Sequence, residues 1–233
     1  MSVRLQGGSQ AIIFMGVVVL WLLSLTPAHG MTSAQQARVH QLEAGFRDAA
    51  RHDKIWTNTW AGIYGGAAVV YGVASRNASE ADDRFDARVS AVKSVLALGN
   101  LYLNPQPHRP ALKQYRAAVA SASDEADHIK LAEALREELA RQEHNRQGLN
   151  ARLLPFAVNL AAGLTIGVID DRPEDGAVNF AVGMLVNEVA IRTQPNAMAG
   201  YGKPITVNIG PQQVEVAYQW FVTPDSLGLG VRF

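Results

Sequence analysis

Few residues of this chain could do chemistry, and they form no known catalytic set. The sequence contains no cysteine, and it lacks the local patterns of a serine-hydrolase elbow, a phosphate-binding loop and a dinucleotide-binding turn. Of its six histidines, the five that follow residue 30 all precede residue 145. The sequence therefore predicts a protein that is not an enzyme, with no catalytic residues, no cofactor and no bound metal.

One spacing would suit a metal. Glu125-x-x-His128 places two potential ligands on one helix face, as in di-iron helical bundles. Those sites need a second such motif, and the nearest candidate, His40-x-x-Glu43, has the reverse order. We therefore interpret Glu125 as part of a solvated helix start, where its charge complements the helix dipole.

Four polar side chains interrupt otherwise apolar segments: Asn159, Asn179, Asn187 and Glu188. Buried amides need hydrogen-bond partners, so we expect these residues to connect helices. The alternative is that they line a polar pocket for a small ligand or substrate.

The segments that carry these residues, 151–169 and 176–192, predict a helical hairpin around an acidic turn. The β-branched residues at 165–169 leave a strand open as an alternative. The apolar runs Phe156–Ile169 and Ala177–Ile191 have fourteen and fifteen residues. Because a membrane span needs about 20, the sequence favours a water-soluble core over membrane insertion.

Small residues four apart recur in each apolar segment. They are Gly163 and Gly167, Ala177 and Ala181, and, within 55–75, Gly62 and Gly66. This spacing predicts close helix packing, which is used both in soluble cores and in membranes.

Hydrophobic periodicity predicts further helices over 34–52, about 79–99, 110–121 and 124–149. In the second of these, Phe85, Val89, Val92 and Leu96 form the stripe expected to be buried. After Pro195 the period changes to two, and three alternating runs predict an antiparallel β-meander.

The predicted fold class is α+β, a mainly helical bundle of about six helices followed by a C-terminal three-stranded antiparallel β-meander. The predicted organisation is a signal peptide at 1–30, a helical domain at 31–195 and the meander at 196–233.

The last run alternates apolar residues and ends on an aromatic, with Leu227, Leu229, Val231 and Phe233 on one face. It resembles the closing strand of outer-membrane β-barrel proteins, in which such a strand is the signal read by the insertion machinery. That resemblance implies delivery to the outer membrane. Three strands are fewer than the roughly eight of a single-chain barrel, so a barrel would have to be shared between subunits. A short sheet packed on the helices is the simpler interpretation.

The first thirty residues have the layout of a secretory signal peptide. Arg4 precedes the uncharged run Ala11–Leu25, and Ala28-His29-Gly30 supplies a small-x-small cleavage pattern. As a helix this run covers about 22 Å, which is short for a retained membrane anchor. We predict cleavage after Gly30 and export to the periplasm or outer membrane.

The mature chain would have 203 residues and a net charge of −1, with no basic block, so nucleic-acid binding is not expected. We expect an exported bacterial envelope protein with a structural, assembly or binding role. Its partner would be an envelope protein or a second copy, reached through the C-terminal strands. One alternative is a membrane-active or outer-membrane-inserted protein that acts through its small-residue helices or an oligomeric strand assembly. The other is a small-ligand carrier or enzyme with a pocket among the asparagine-bearing helices.

Overall fold

A computed structural model describes residues 33–122, 124–199, 205–209, 212–222 and 227–232, and for the last three ranges it describes the backbone. The signal peptide predicted at 1–30 and the terminal Phe233 lie outside the described residues. The chain divides into two compact units, Met1–Ala37 and Arg38–Phe233. The described residues of the first unit are the opening turn of a helix.

Four helices of at least twenty residues dominate the described part of the chain. They are α1 (Ser33–Asn77), α2 (Ala81–Leu103), α4 (Glu125–Gln147) and α6 (Pro173–Arg192). Two shorter helices, α3 (His108–Ser121) and α5 (Asn150–Leu164), lie between them in sequence. A π-helical turn, Thr165–Ile169, continues α5.

Beyond α6 the described backbone contains β1 (Ile205–Ile209), β2 (Gln212–Val222) and β3 (Leu227–Arg232). They pair antiparallel in the order β1–β2–β3. In this register Leu229 lies opposite Trp220 and Val231 opposite Tyr218.

The predicted α+β class is wrong for the packed part of the molecule. Within residues 33–199, where side chains are described, the structure is helical and contains no strand or sheet. The described core consists of helices and Met198 from the segment after α6, and no strand residue is among its members. Alternation specifies an extended backbone locally, but the fold class depends on which surfaces are buried together, and alternation does not determine that.

The predicted bundle of about six helices is also corrected. The segments 34–52 and 55–75 form one helix of 45 residues. The polar residues Arg51–Lys54 between them contain neither Gly nor Pro, so nothing in the backbone ends the helix there. Four long helices with two short ones replace six comparable elements.

Two hydrophobic clusters hold the helices together. The first joins α1, α3 and α4 through Leu42, Phe46, Tyr115 and Leu139, with Met198 from the segment after α6. The Phe46 and Tyr115 rings stack with centroids 4.7 Å apart. The second joins α1, α2 and α6 through four other residues: Trp56, Trp60, Leu101 and Ala190.

The buried face predicted for α2 is only partly buried. Phe85 and Val89 are half-buried, but Val92 and Leu96 are more than half exposed, whereas Ala87, Ser94 and Leu101 are buried at a spacing of seven. Around Ser94 this helix therefore turns a small polar side chain inward and large apolar ones outward.

Candidate functional site

The four polar residues predicted to act as a network lie along the α5–α6 hairpin, and each has a different partner. Asn159 is buried and donates from Nδ2 to the Pro155 carbonyl at 2.9 Å. Asn187 donates to the Gly183 carbonyl at 2.9 Å. Among the described contacts, no hydrogen bond joins one of these asparagines to another.

Asn179 instead binds a residue that sequence reasoning overlooked. Lys93 of α2 donates from Nζ to Asn179 Oδ1 at 2.7 Å and to the Asn179 carbonyl at 3.3 Å. Lys93 Nζ and Asn159 Oδ1 also converge on Gly183, since a Cβ built on that glycine would lie 2.8 Å and 1.8 Å from them. Lys93 therefore links α2 to α6 of the hairpin. A lone lysine in a helix gave no sequence signal for this contact.

The hairpin closes through glycines. A Cβ built on Gly176 would lie 2.4 Å from the Gly163 carbonyl oxygen and 2.7 Å from the Gly167 nitrogen. The predicted small-residue contact of Gly163 and Gly167 is therefore present. On α6 the contacting residues are Gly176 and Gly183, while Ala177 and Ala181 are exposed. Gly62 and Gly66 of α1 face open space, because a Cβ there meets nothing within 4 Å.

Large apolar side chains cover the outside of the same helices. We name as the apolar surface the exposed residues on the second half of α1, on α2, on α5 with its π-helical turn, and on α6. Representative members are Val69, Val73, Val92, Leu96, Leu153, Leu164, Val182 and Leu185. At the helix ends Leu103 and Leu149 are 81% and 82% exposed. A soluble monomer rarely exposes a large contiguous apolar area, so this surface calls for a covering medium or partner.

Ion pairs stand at both ends of the hairpin. At the tip, Arg172 bonds Asp86 of α2 as well as Asp170 and Asp175. At the opposite end of the hairpin, Arg152 forms a bidentate contact with the Glu188 carboxylate. The Nε–Oε2 and Nη2–Oε1 distances are 2.8 and 2.9 Å. The predicted site residue Glu188 is thus an ion-pair partner between α5 and α6.

An open apolar groove of about 270 Å³ runs along the hairpin near its tip. Leu160, Gly163, Val168, Gly176 and Phe180 are among its lining residues, and none of the lining side chains carries a charge. The groove offers no group for catalysis, and its composition suits an apolar occupant.

A second set of polar residues is buried at the junction of α1, α3 and α4. The side chains of Asp53, His108 and Glu143 are fully buried, and His52 lies beside them. His108 Nε2 and Glu143 Oε1 are 3.0 Å apart. Sequence reasoning missed this set because its members are 35 or more residues apart, apart from the adjacent His52 and Asp53.

The side chain of Glu125 lies outside the described residues, so the Glu125-x-x-His128 spacing stays untested as a metal site. Among the described residues, no group of three or more His, Cys, Asp or Glu side chains is placed to hold an ion. The His128 ring packs beside Tyr115, with ring centroids 6.0 Å apart. Asp124, the neighbour of Glu125, caps α4 by accepting from the Asp127 amide at 2.8 Å.

Comparison with known proteins adds no assignment: no protein-family model, curated protein or solved structure matches this chain.

Proposed function

We propose that this chain is a non-enzymatic, membrane-embedded protein of the bacterial envelope. The second half of α1, α2, the α5–α6 hairpin and its π-helical turn form the membrane part. The first half of α1 with α3 and α4 forms a water-exposed helical part.

The observation that carries this proposal is the reversed distribution of side chains on the membrane part. Val92 and Leu96 point outward, while Lys93, Ser94 and Asn159 lie between helices. In lipid, polar groups face the interior of a helix bundle and small residues bring helices together. Water favours the opposite arrangement, because exposed apolar side chains lose the free energy of burial.

Helix length also supports the proposal. α5 with its π-helical turn covers twenty residues, and α6 covers twenty, which is about 30 Å as helix. The hydrocarbon core of a bilayer is about 30 Å thick. Among the described residues, one helical stretch, Ala126–Ile169, is long and apolar enough to cross a membrane. In its most apolar part, 22% of the residues are buried. A core helix of a soluble protein that was as long and apolar would be mostly buried.

The charges near the helix ends fit this placement. Seventeen uncharged residues separate Arg152 from Asp170, about 26 Å along the helix. α6 has a shorter uncharged run because of Glu188, but Arg152 and Arg192 both pair with that carboxylate. Paired or end-located charges are the ones tolerated at membrane depth.

A protein partner that covers the apolar surface is the second candidate function. It retains the expected assembly or binding role in the envelope. The exposed Gly62 and Gly66 on α1 favour it, since they leave room for a further helix to approach.

Carbonate washing of isolated membranes separates these candidates. We expect the full chain to stay in the membrane pellet and to need detergent for release. Release by carbonate or urea would contradict membrane embedding and favour a partner. Separation of inner membrane, periplasm and outer membrane would test the proposed envelope localisation. Intact mass would test cleavage after Gly30.

A matched pair of substitutions sharpens the result. Leu185 on α6 and Leu131 on α4 are 66% and 43% exposed, but only Leu185 lies in the proposed membrane part. We expect Leu185→Lys to lower membrane retention, because a lysine at mid-helix costs about 3 kcal/mol in lipid. Leu131→Lys should leave retention unchanged. If neither substitution changes membrane retention, or if both change it equally, the proposed division into a membrane part and a water-exposed part is wrong.

A further inference from the structure

The segment after α6 is held to α4 by one buried carboxylate. Glu143 accepts the backbone N–H of Met198 at 3.1 Å through Oε1 and that of Ala199 through Oε2. Its third partner is His108 of α3. Met198 is 1% exposed and belongs to the core cluster around Phe46. Replacing these donors with water would require the core to open here.

A second buried carboxylate belongs to the same polar cluster as Glu143. Asp53 of α1 accepts from Thr57 Oγ1 at 3.0 Å and from the Arg109 backbone N–H at 3.2 Å. Arg109 Nε contacts the same carboxylate at 3.3 Å. Arg146 of α4 also interacts favourably with Asp53 through charge.

The charges around this cluster are balanced before any proton is added to an imidazole. α1 contributes His52 and Asp53, α3 contributes His108 and Arg109, and α4 contributes Glu143 and Arg146. The two arginines offset the two carboxylates, so extra protons add unbalanced positive charge to a buried place.

We propose that His52, Asp53, His108 and Glu143 form an acid-sensitive clasp, which holds Met198 and Ala199 against α4 and releases them when the buried His52 takes up a proton. Met198 and Ala199 are the last described residues before β1 in the sequence. This inference is independent of the membrane proposal, because its residues lie outside the proposed membrane part.

The direction of the response follows from His52. Burial, with His108 adding to it and Asp53 opposing it, lowers the pKa of His52 from 6.5 to about 4. An opened clasp returns this imidazole to its ordinary pKa, so between pH 6.5 and 4 the open form binds a proton that the closed form does not. The closed form is therefore fully favoured above pH 6.5 and loses stability as the pH falls.

Hydrogen exchange of the full-length protein tests the clasp directly. The readout is the exchange of the Met198 and Ala199 amides at pH 7.5 and pH 5, corrected for the intrinsic effect of pH. We expect acceleration on the order of tenfold, with a limit of roughly thirtyfold set by the His52 shift. Amides inside α6 at 176–187 should keep their protection. Equal protection of Met198 and Ala199 at both pH values would overturn the proposal.

Two histidine variants supply a matched comparison. His52→Gln should abolish the acid acceleration, whereas His144→Gln should retain it, since His144 is exposed and adjacent to Glu143 in sequence. An acceleration that survives His52→Gln would contradict the assigned trigger. Glu143→Gln should expose the two amides already at pH 7.5, because one acceptor oxygen becomes a donor. If Glu143→Gln does not fold, the two histidine variants still test whether His52 causes the acid-dependent exchange.

Discussion

A few individual residues decide how α2, α5 and α6 meet. Gly176 lets the backbones of α5 and α6 come into contact. The Lys93 ammonium group of α2 donates hydrogen bonds to oxygens of Asn179 on α6. Sequence reasoning identified the glycine spacing on α5 and the buried Asn159, but it missed Lys93. Periodicity reports hydrophobic faces, and a single charged residue within such a face carries no periodic signal.

Gly176→Ala should destabilise the hairpin, because the new methyl group would overlap the Gly163 carbonyl and force the helices apart. We expect a loss of about 1–3 kcal/mol in the free energy of unfolding, as for other overpacked sites. Denaturant unfolding of the purified protein, followed by circular dichroism, measures this change.

Gly72→Ala is the matched control. A Cβ at Gly72 meets nothing within 4 Å, and the residue lies inside α1. Alanine there should raise stability by about 0.5–1 kcal/mol through helix propensity alone. Similar losses for both variants would show that the glycine contact is not what holds the hairpin.

The Lys93–Asn179 contact should show measurable coupling in a double-mutant cycle. Lys93→Met and Asn179→Leu each remove one partner, and the double variant removes both. We expect a coupling free energy of about 1–2 kcal/mol, since charged hydrogen bonds away from water are among the stronger ones. A parallel cycle on the exposed pair Glu138 and Arg141 should give about 0.5 kcal/mol or less. Equal coupling for the two pairs would refute a special role for Lys93.

At the scale of elements, α1 and α6 are joined by an indole–hydroxyl contact. Trp56 and Trp60 donate from Nε1 to Thr193 Oγ1 at 3.2 and 3.3 Å. Both tryptophans belong to the second hydrophobic cluster. The sequence pattern could not connect these tryptophans to Thr193 just beyond the end of α6, because Thr193 is 133 residues away from Trp60.

Thr193→Val should weaken this junction at almost constant volume. Two buried indole N–H groups would lose an acceptor, although Trp56 retains the Ala190 carbonyl at 3.2 Å. We expect a loss of about 1–3 kcal/mol and a shift in tryptophan fluorescence. Thr165→Val is the control, because Thr165 bonds only the Ala161 carbonyl of its own helix among the described contacts. A larger loss at Thr165 would contradict the proposed junction.

At the scale of the whole molecule, the chain combines two kinds of surface. Around α3 and α4 the core contains Tyr115 and Leu139, and large apolar residues lie inside. Along α2, α5 and α6 the large apolar residues are outside. The first arrangement suits water and the second suits lipid, and this contrast is the basis of the membrane proposal.

Cysteine labelling can map this division, because the natural chain has no cysteine to remove. In native membranes, a water-soluble maleimide should label Leu131→Cys on α4 at least tenfold faster than Leu185→Cys on α6. The physical reason is that thiolate formation and reagent access both require water. After transfer to denaturant the two rates should converge. Equal rates in intact membranes would place both helices in water.

The sequence by itself determined the helical hairpin and the glycine spacing on α5, since these depend on neighbours within a few turns. Helix continuity across Arg51–Lys54, the orientation of α2 and a described core without strands required the tertiary structure. So did the clasp at Glu143, whose donors come from α3 and from the segment after α6. Local patterns specify which faces are apolar, whereas only packing decides whether an apolar face turns inward or outward.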